Sequence, residues 1–179
     1  MARWLGDTTA ADMGRITLNP LKHIDVLTTL LLPLVMILFG LPPILAAKPV
    51  PFDPAKVRFG EYGAALVGLA GPLANFGLAV IGAILVHLFM GASVQVLDFW
   101  VIFIELNVAL MIFNLIPFPP LDGSRVLYAF APEFLQEILG RLESMGFFPL
   151  LMFIFILFQF IAPIIGHIDA AIFNFLISL

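Results

Sequence analysis

The chain has 179 residues, of which 62% are hydrophobic and 11% charged, and its mean hydropathy is +1.13. A soluble domain is about half apolar and about one-quarter charged, so this excess has no small globular core to hide in and implies lipid as the solvent. The net charge of −4 comes without a basic stripe, which excludes nucleic acid as a partner, and the absence of cysteine excludes a disulfide framework and a thiolate metal site.

Residues 1–25 are polar, carry Arg3, Arg15 and Lys22, and lack the apolar stretch of a cleavable signal peptide. A spanning helix needs roughly 20 mostly apolar residues. Val26–Ala47 is long enough, but Pro33, Gly40, Pro42 and Pro43 interrupt it, so residues 26–47 are expected to be kinked or re-entrant. Residues 48–62 are rich in proline and charge and read as a connection. Residues 63–92 and 96–118 are expected to be core spans, the second carrying Asp98, Glu105, Asn107 and Asn114. Residues 131–146 place Glu133, Glu137, Arg141 and Glu143 at helical spacing among Phe134, Leu135, Ile138 and Leu142, which predicts an amphipathic surface helix. Residues 147–179 are expected to form a C-terminal membrane segment, in which Ile168–Leu179 is too short to span alone unless it and Phe147–Ile165 form one broken element. No repeat is visible. The expectation is a single all-α domain, a polytopic integral membrane helical bundle. Three Lys/Arg precede Val26–Ala47 and three follow it before the next span, so the positive-inside bias does not orient the chain.

One sequence stands out, Asn114-Leu115-Ile116-Pro117-Phe118-Pro119-Pro120-Leu121-Asp122-Gly123-Ser124-Arg125. Its prolines cannot continue a helix and its glycine permits a sharp bend, which leaves Asp122 at the tip of a non-helical elbow at membrane depth. Carboxylates there are rare and usually functional. Asp122 either caps the helix beginning near Gly123 and pairs with Arg125, or ligates a metal ion. In Gly71-Pro72-Leu73-Ala74-Asn75, Asn75 either belongs to a small-residue packing face or presents its amide to a substrate backbone or an oxyanion. Asn107 and Asn114, seven residues apart, share a helix face. Asp98 belongs at the interface beside Trp100, and Glu105 lies deeper, where a proton-relay role competes with simple pairing. His23, His87 and His167 form no His-x-x-x-His pair, and Ser93, Ser124, Ser144 and Ser178 have no histidine partner nearby in sequence.

Several blocks recur in a familiar order: Leu5-Gly6-Asp7-Thr8-Thr9-Ala10, the stretch from Gly14 to Asp25, Ala47-Lys48-Pro49-Val50-Pro51, Ala70-Gly71-Pro72-Leu73-Ala74-Asn75, and Asn114 to Gly123. Together they resemble the site-2 protease family of intramembrane zinc metallopeptidases, in its compact prokaryotic branch. In that family a His-Glu-x-x-His helix supplies two zinc ligands and the general base, and a Leu-Asp-Gly aspartate supplies the third ligand. The resemblance implies that Asp122 is a metal ligand and that Asn75 and Asn114 bind substrate or stabilise an oxyanion. It implies that Gly14–Asn19 pairs with an unwound substrate strand. It also implies zinc as cofactor, membrane lipid and transmembrane proteins or peptides as partners, and a prokaryotic cell (inner) membrane as location.

No His-Glu-x-x-His occurs in the 179 residues. In the family it lies just upstream of the Leu-Gly-Asp block, so the expectation is that this sequence lacks its N-terminal helix and, as given, neither holds catalytic zinc nor contains a general base. The alternatives are a non-catalytic membrane binding protein of the same fold, or a small transporter or proton channel using Asp98, Glu105 and Asp122. The last calls for two related halves, and none is visible.

Overall fold

A computed structural model describes residues 1–17, 19, 21, 24, 26–38, 40, 50, 52–146 and 148–178. The α-helices in chain order are α1 (Thr9–Asp12), α2 (Leu32–Leu38), α3 (Gly60–Leu88), α4 (Val94–Leu115), α5 (Asp122–Phe130), α6 (Glu133–Ser144), α7 (Phe148–Met152) and α8 (Phe158–Ile177). No strand occurs among the described residues. The chain is an all-α membrane bundle, and it divides into two compact units, Ala2–Gly60 and Glu61–Leu179, the latter taking in Met1.

In the first unit a buried carboxylate ties two distant stretches together. Asp7 is 2% exposed. Its Oδ1 accepts from the Thr9 amide at 2.9 Å and its Oδ2 from the Asp53 amide at 3.0 Å. The Arg58 amide donates to the Leu5 carbonyl at 2.8 Å, and Lys56 Nζ donates to Thr9 Oγ1 at 3.2 Å. The Thr9 side chain above all, then the Asp53 and Thr9 amides and the charge of Lys56, hold the Asp7 carboxyl below its ordinary range against the opposing effect of burial. A depressed folded-state pKa stabilises above the unfolded value and is lost as pH falls through the folded one. Protection of the Thr9 and Asp53 amides from hydrogen exchange is therefore expected at neutral pH and is expected to fall below about pH 4. Asp7→Ala should lose that protection at every pH, and unchanged protection factors would show that the clamp is dispensable.

Also in this unit, residues Val26–Leu31 form a π-helical turn leading into α2. Pro33 cannot donate to the carbonyl of Thr29, and its ring crowds that carbonyl, so a widened turn before α2 is the expected accommodation. The remainder of the kinked or re-entrant reading, residue 39 and residues 41–47, lies outside the described residues, as do Lys22, His23, Asp25, Lys48 and Pro49.

In the second unit Gly60–Leu88, Val94–Leu115 and Phe160–Ile177 are each long and apolar enough to cross a membrane. They pack through Ala79 and Ala83 of α3, Ile104, Val108, Met111 and Ile112 of α4, and Leu176 of α8. Alanine on α3 lets the α4 side chains approach closely, the usual solution where lipid removes any hydrophobic drive between helices. The outward faces stay apolar and uncovered, as Leu73, Ile81, Ile84, Ile102 and Ile164 show. Such a surface suits lipid and would be a liability in water. In the first half of α4 the Trp100 ring meets Phe99 and Phe103 edge-to-face, with centroids 5.0 Å and 5.6 Å away.

Helix ends differ from expectation where proline or glycine intervenes. α4 stops at Leu115 rather than residue 118, because Pro117 disfavours helical geometry at Ile116. Gly166 and His167, which separate the two apolar stretches of the C-terminal segment, both lie inside α8. The irregularity falls earlier, as a π-helical turn over Phe153–Leu157. α6 covers Glu133–Ser144 and buries Leu139.

Candidate functional site

The elbow between α4 and α5 begins where α4 runs out of amides. Turn bonds from Phe118 N to Ile116 O (2.8 Å), Leu121 N to Phe118 O (2.9 Å) and Ser124 N to Leu121 O (3.0 Å) carry the chain through the Pro117–Pro120 region. The Pro119–Pro120 bond is cis. Gly123 then lies against the end of α4: a Cβ there would collide with the Leu115 carbonyl and stand 2.6 Å from the Ile116 carbonyl oxygen. Only a residue without a side chain allows α5 to start so close to α4.

Asp122 is the first residue of α5 and is half-buried. Leu121 occupies the N-cap position without a side-chain cap bond, so Asp122 does not cap a helix beginning at Gly123. It sits in the first turn, where a negative charge suits the helix dipole. Nor does it form the anticipated ion pair with Arg125. Arg125 Nη2 instead lies 2.9 Å from Glu143 Oε1 on α6. Among the described residues nothing donates a hydrogen bond to the Asp122 carboxylate. Burial pushes its carboxyl above the ordinary range, partly offset by the charge of Arg125.

The structure brings this carboxylate onto the glycine motif of α3. A Cβ on Gly71 would stand 3.1 Å from Asp122 Oδ2. A Cβ on Gly68 would stand 2.8 Å from the Asp122 carbonyl oxygen and 3.3 Å from Arg125 Cβ. The two glycines are three apart on one face of α3, and together they form the surface on which α5 docks. Pro72 adds a chemical consequence, for it has no amide to bond the Gly68 carbonyl.

The other candidate residues are distributed around this point. Asn75 stands one turn beyond Gly71 on α3, half-buried, with no hydrogen bond to its side chain among the described residues. Asn114 donates back to the Leu110 carbonyl at 2.9 Å, and Asn107 does the same to Phe103 at 2.8 Å. Such local bonds satisfy one amide proton and leave the side-chain oxygen available. Glu105 is exposed on α4. His87 Nδ1 lies 2.9 Å from the Ala83 carbonyl, and the hydroxyls of Ser124, Ser144 and Ser178 donate to carbonyls of their own chain turns. An apolar groove of about 280 Å³, lined by Leu69, Pro72, Leu73, Phe76, Met111 and Leu115, opens between α3 and α4 and carries no titratable group.

A second layer holds α5 in place. Gln136 Nε2 on α6 donates both to Glu61 Oε2 on α3 and to the Tyr128 carbonyl on α5, each at 3.0 Å. The Tyr62 and Phe130 rings meet edge-to-face at 5.7 Å. These contacts fix the C-terminal half of α5 against α3, while Gly68 and Gly71 fix its start. Neither Gln136 nor Glu143 carries a sequence signal beyond membership of an amphipathic helix.

A catalytic zinc site uses three protein ligands and keeps one position open. Among the described residues no group of three His, Cys, Asp or Glu side chains could hold a metal ion. The described residues therefore do not make a complete zinc site. Asp122 is a hard oxygen donor, half-buried, with no hydrogen bond to its carboxylate among the described residues.

Comparison with known proteins follows the same line. Residues 90–161 match the family described as Peptidase family M50. Over 150 residues, 79% of the chain, it is 36% identical to YwhC of Bacillus subtilis (strain 168), a protein provisionally named a zinc metalloprotease. Over 148 residues it is 30% identical to Rip2 of Mycolicibacterium smegmatis (strain ATCC 700084 / mc(2)155), provisionally named likewise. The aligned residues span 65% of the length of YwhC and 54% of that of Rip2. No solved structure matches the chain significantly.

Proposed function

This chain belongs to peptidase family M50, and on that premise we propose that it forms part of a site-2-protease-like zinc metalloendopeptidase that cleaves membrane-protein substrates. The observation that carries the reading is the placement of the Asp122 carboxylate, without a hydrogen bond, against Gly71 of the Gly71-Pro72-Leu73-Ala74-Asn75 motif. Two separate stretches of sequence that carry the family resemblance meet at one carboxylate oxygen. Asp122 supplies one zinc ligand, and among the described residues no second or third ligand stands beside it. Both named relatives are longer than the part aligned here.

Zinc in such a site supplies Lewis-acid activation of water for attack on a peptide carbonyl. The chain's own residues prepare the surroundings. The Gly68 and Gly71 surface holds α5 so that the carboxylate faces α3. Asn75, one turn away, offers an amide to the substrate backbone or to the developing oxyanion. Asn114 contributes its free side-chain oxygen to the substrate. The substrates are single-span membrane proteins or their remnant peptides, and the location is a prokaryotic cell membrane.

A test separates binding from metal retention. In the whole protein reconstituted with a single-span substrate, Asn75→Ala is expected to lower turnover by about 10²-fold or more, as for loss of one oxyanion donor, with zinc content held. Normal turnover would return Asn75 to helix packing. A second reading, a non-catalytic protein that captures transmembrane segments, draws on the absence of His-Glu-x-x-His from these residues. Binding of the single-span substrate without any cleavage by the whole zinc-loaded protein would favour it.

A further inference from the structure

One hydrogen bond in the first unit draws an aromatic and basic patch together. The Arg58 amide donates to the Leu5 carbonyl at 2.8 Å, so Trp4 and Phe59 each adjoin one end of that bond. Both rings are turned out of the protein, 84% and 73% exposed. Phe59 holds its place at φ +70°, a left-handed backbone conformation that suits glycine and costs a bulky residue energy. Arg3 and Arg58 adjoin these rings in sequence and are exposed. Among the described residues neither guanidinium has an ion-pair partner. The carboxylates of this unit that stand nearby are already engaged. Asp53 lies 3.4 Å from Lys56 Nζ, Asp7 accepts from two backbone amides, and Asp12 accepts from the Thr8 hydroxyl.

Chain order puts this patch at an edge of the bilayer. Gly60 opens α3, which is long and apolar enough to span, so Arg58 and Phe59 stand where the span begins. The charge distribution tells which edge it is. All eight Lys and Arg of the 179 residues lie before residue 59 or after residue 124. α4 runs back along α3, for a Cβ on Gly82 would stand 2.8 Å from Ile104 Cγ1 and one on Gly68 2.8 Å from the Asp122 carbonyl oxygen. Arg125 and Arg141 therefore return to the end where α3 starts, as the Gln136 bond to Glu61 also shows. The connection at the other end, residues 89–93, has no Lys or Arg. A one-sided distribution of this kind marks the cytoplasmic face, whose leaflet carries the anionic lipids.

We propose that Arg3, Trp4, Arg58 and Phe59 form a docking surface for anionic lipid headgroups at the cytoplasmic edge of α3. The guanidinium forks match phosphate oxygens, and the rings take the headgroup level that aromatic side chains prefer. A zwitterionic headgroup sets its own cation beside its phosphate, so the surface discriminates by net charge.

The test uses the whole protein with Trp4 left as its only tryptophan (Trp100→Phe among these residues), in phosphatidylcholine bilayers that contain phosphatidylglycerol. Bromine placed on the acyl chains of one lipid at a time quenches Trp4 fluorescence on contact. Brominated phosphatidylglycerol is expected to quench more strongly than brominated phosphatidylcholine at the same mole fraction. Arg3→Gln and Arg58→Gln should each lower the relative affinity for phosphatidylglycerol about five-fold. Arg141→Gln, at an exposed position on α6, should leave it unchanged. With every arginine in place, salt at about 1 M should remove most of the preference, because charges are then screened beyond about 3 Å. Equal quenching by the two lipids, no quenching by either, or a preference untouched by the two arginine substitutions or by salt would each overturn the proposal.

Discussion

Asp122→Ala is expected to strip zinc from the whole protein and to abolish peptide-bond cleavage. Loss of an outer-shell partner alone costs about 10–100-fold in metal affinity, so removal of the proposed ligand should exceed that and leave only background metal after dialysis. Asp122→Asn serves as the companion variant, since it keeps the shape at Gly71 while weakening the donor. Its thermal midpoint in metal-free detergent should stay near that of the parent, because among the described residues the carboxylate makes no hydrogen bond that folding depends on. Elemental analysis is the measurement, and undiminished zinc in both variants would refute the ligand role whatever happened to activity.

Gly123→Ala is expected to have the largest effect on stability. The added methyl group would fall onto the Leu115 carbonyl and the Ile116 carbonyl oxygen, both backbone atoms that no rotamer change can move aside. Either α5 lifts from the end of α4 or the elbow opens. Overpacking of this kind costs about 3 kcal/mol, or about 10 °C in the thermal midpoint for a chain of this size. Gly140→Ala is the contrast, for nothing lies within 4 Å of a Cβ placed there. In the middle of α6 that change should be neutral or mildly stabilising. Equal midpoints for Gly123→Ala and the parent would mean that α5 does not pack on α4 as described. Gly123→Ala also bears on the site, since a displaced α5 carries Asp122 away from Gly71.

Much of this was legible in the chain itself. Runs such as Gly63–Ala92 and Val96–Phe118 announce membrane helices because hydropathy is a local sum, and the helices appear within a few residues of those bounds. Pro117 and Gly123 announce an elbow because each acts on its own backbone. Asp122 is singled out by its cost at that depth, and the motifs around it carry the resemblance to a family.

The partners of these residues were not legible. Arg125 three residues after Asp122 suggested a local pair, yet its guanidinium meets Glu143, eighteen residues on. Gly71 read as part of a small-residue packing face, yet it receives one particular carboxylate. Asp7 passed as part of a motif, yet it is the buried acceptor that joins residues 5–9 to residues 53–58.

The amino-acid sequence by itself determined that this chain lives in lipid, where it is helical, where it bends and which carboxylate has to be explained. Those properties arise from each residue's own solvation and backbone freedom. Tertiary structure alone decided which side chains neutralise one another and which oxygen faces α3. Those outcomes depend on helices far apart in the chain competing for the same few charges.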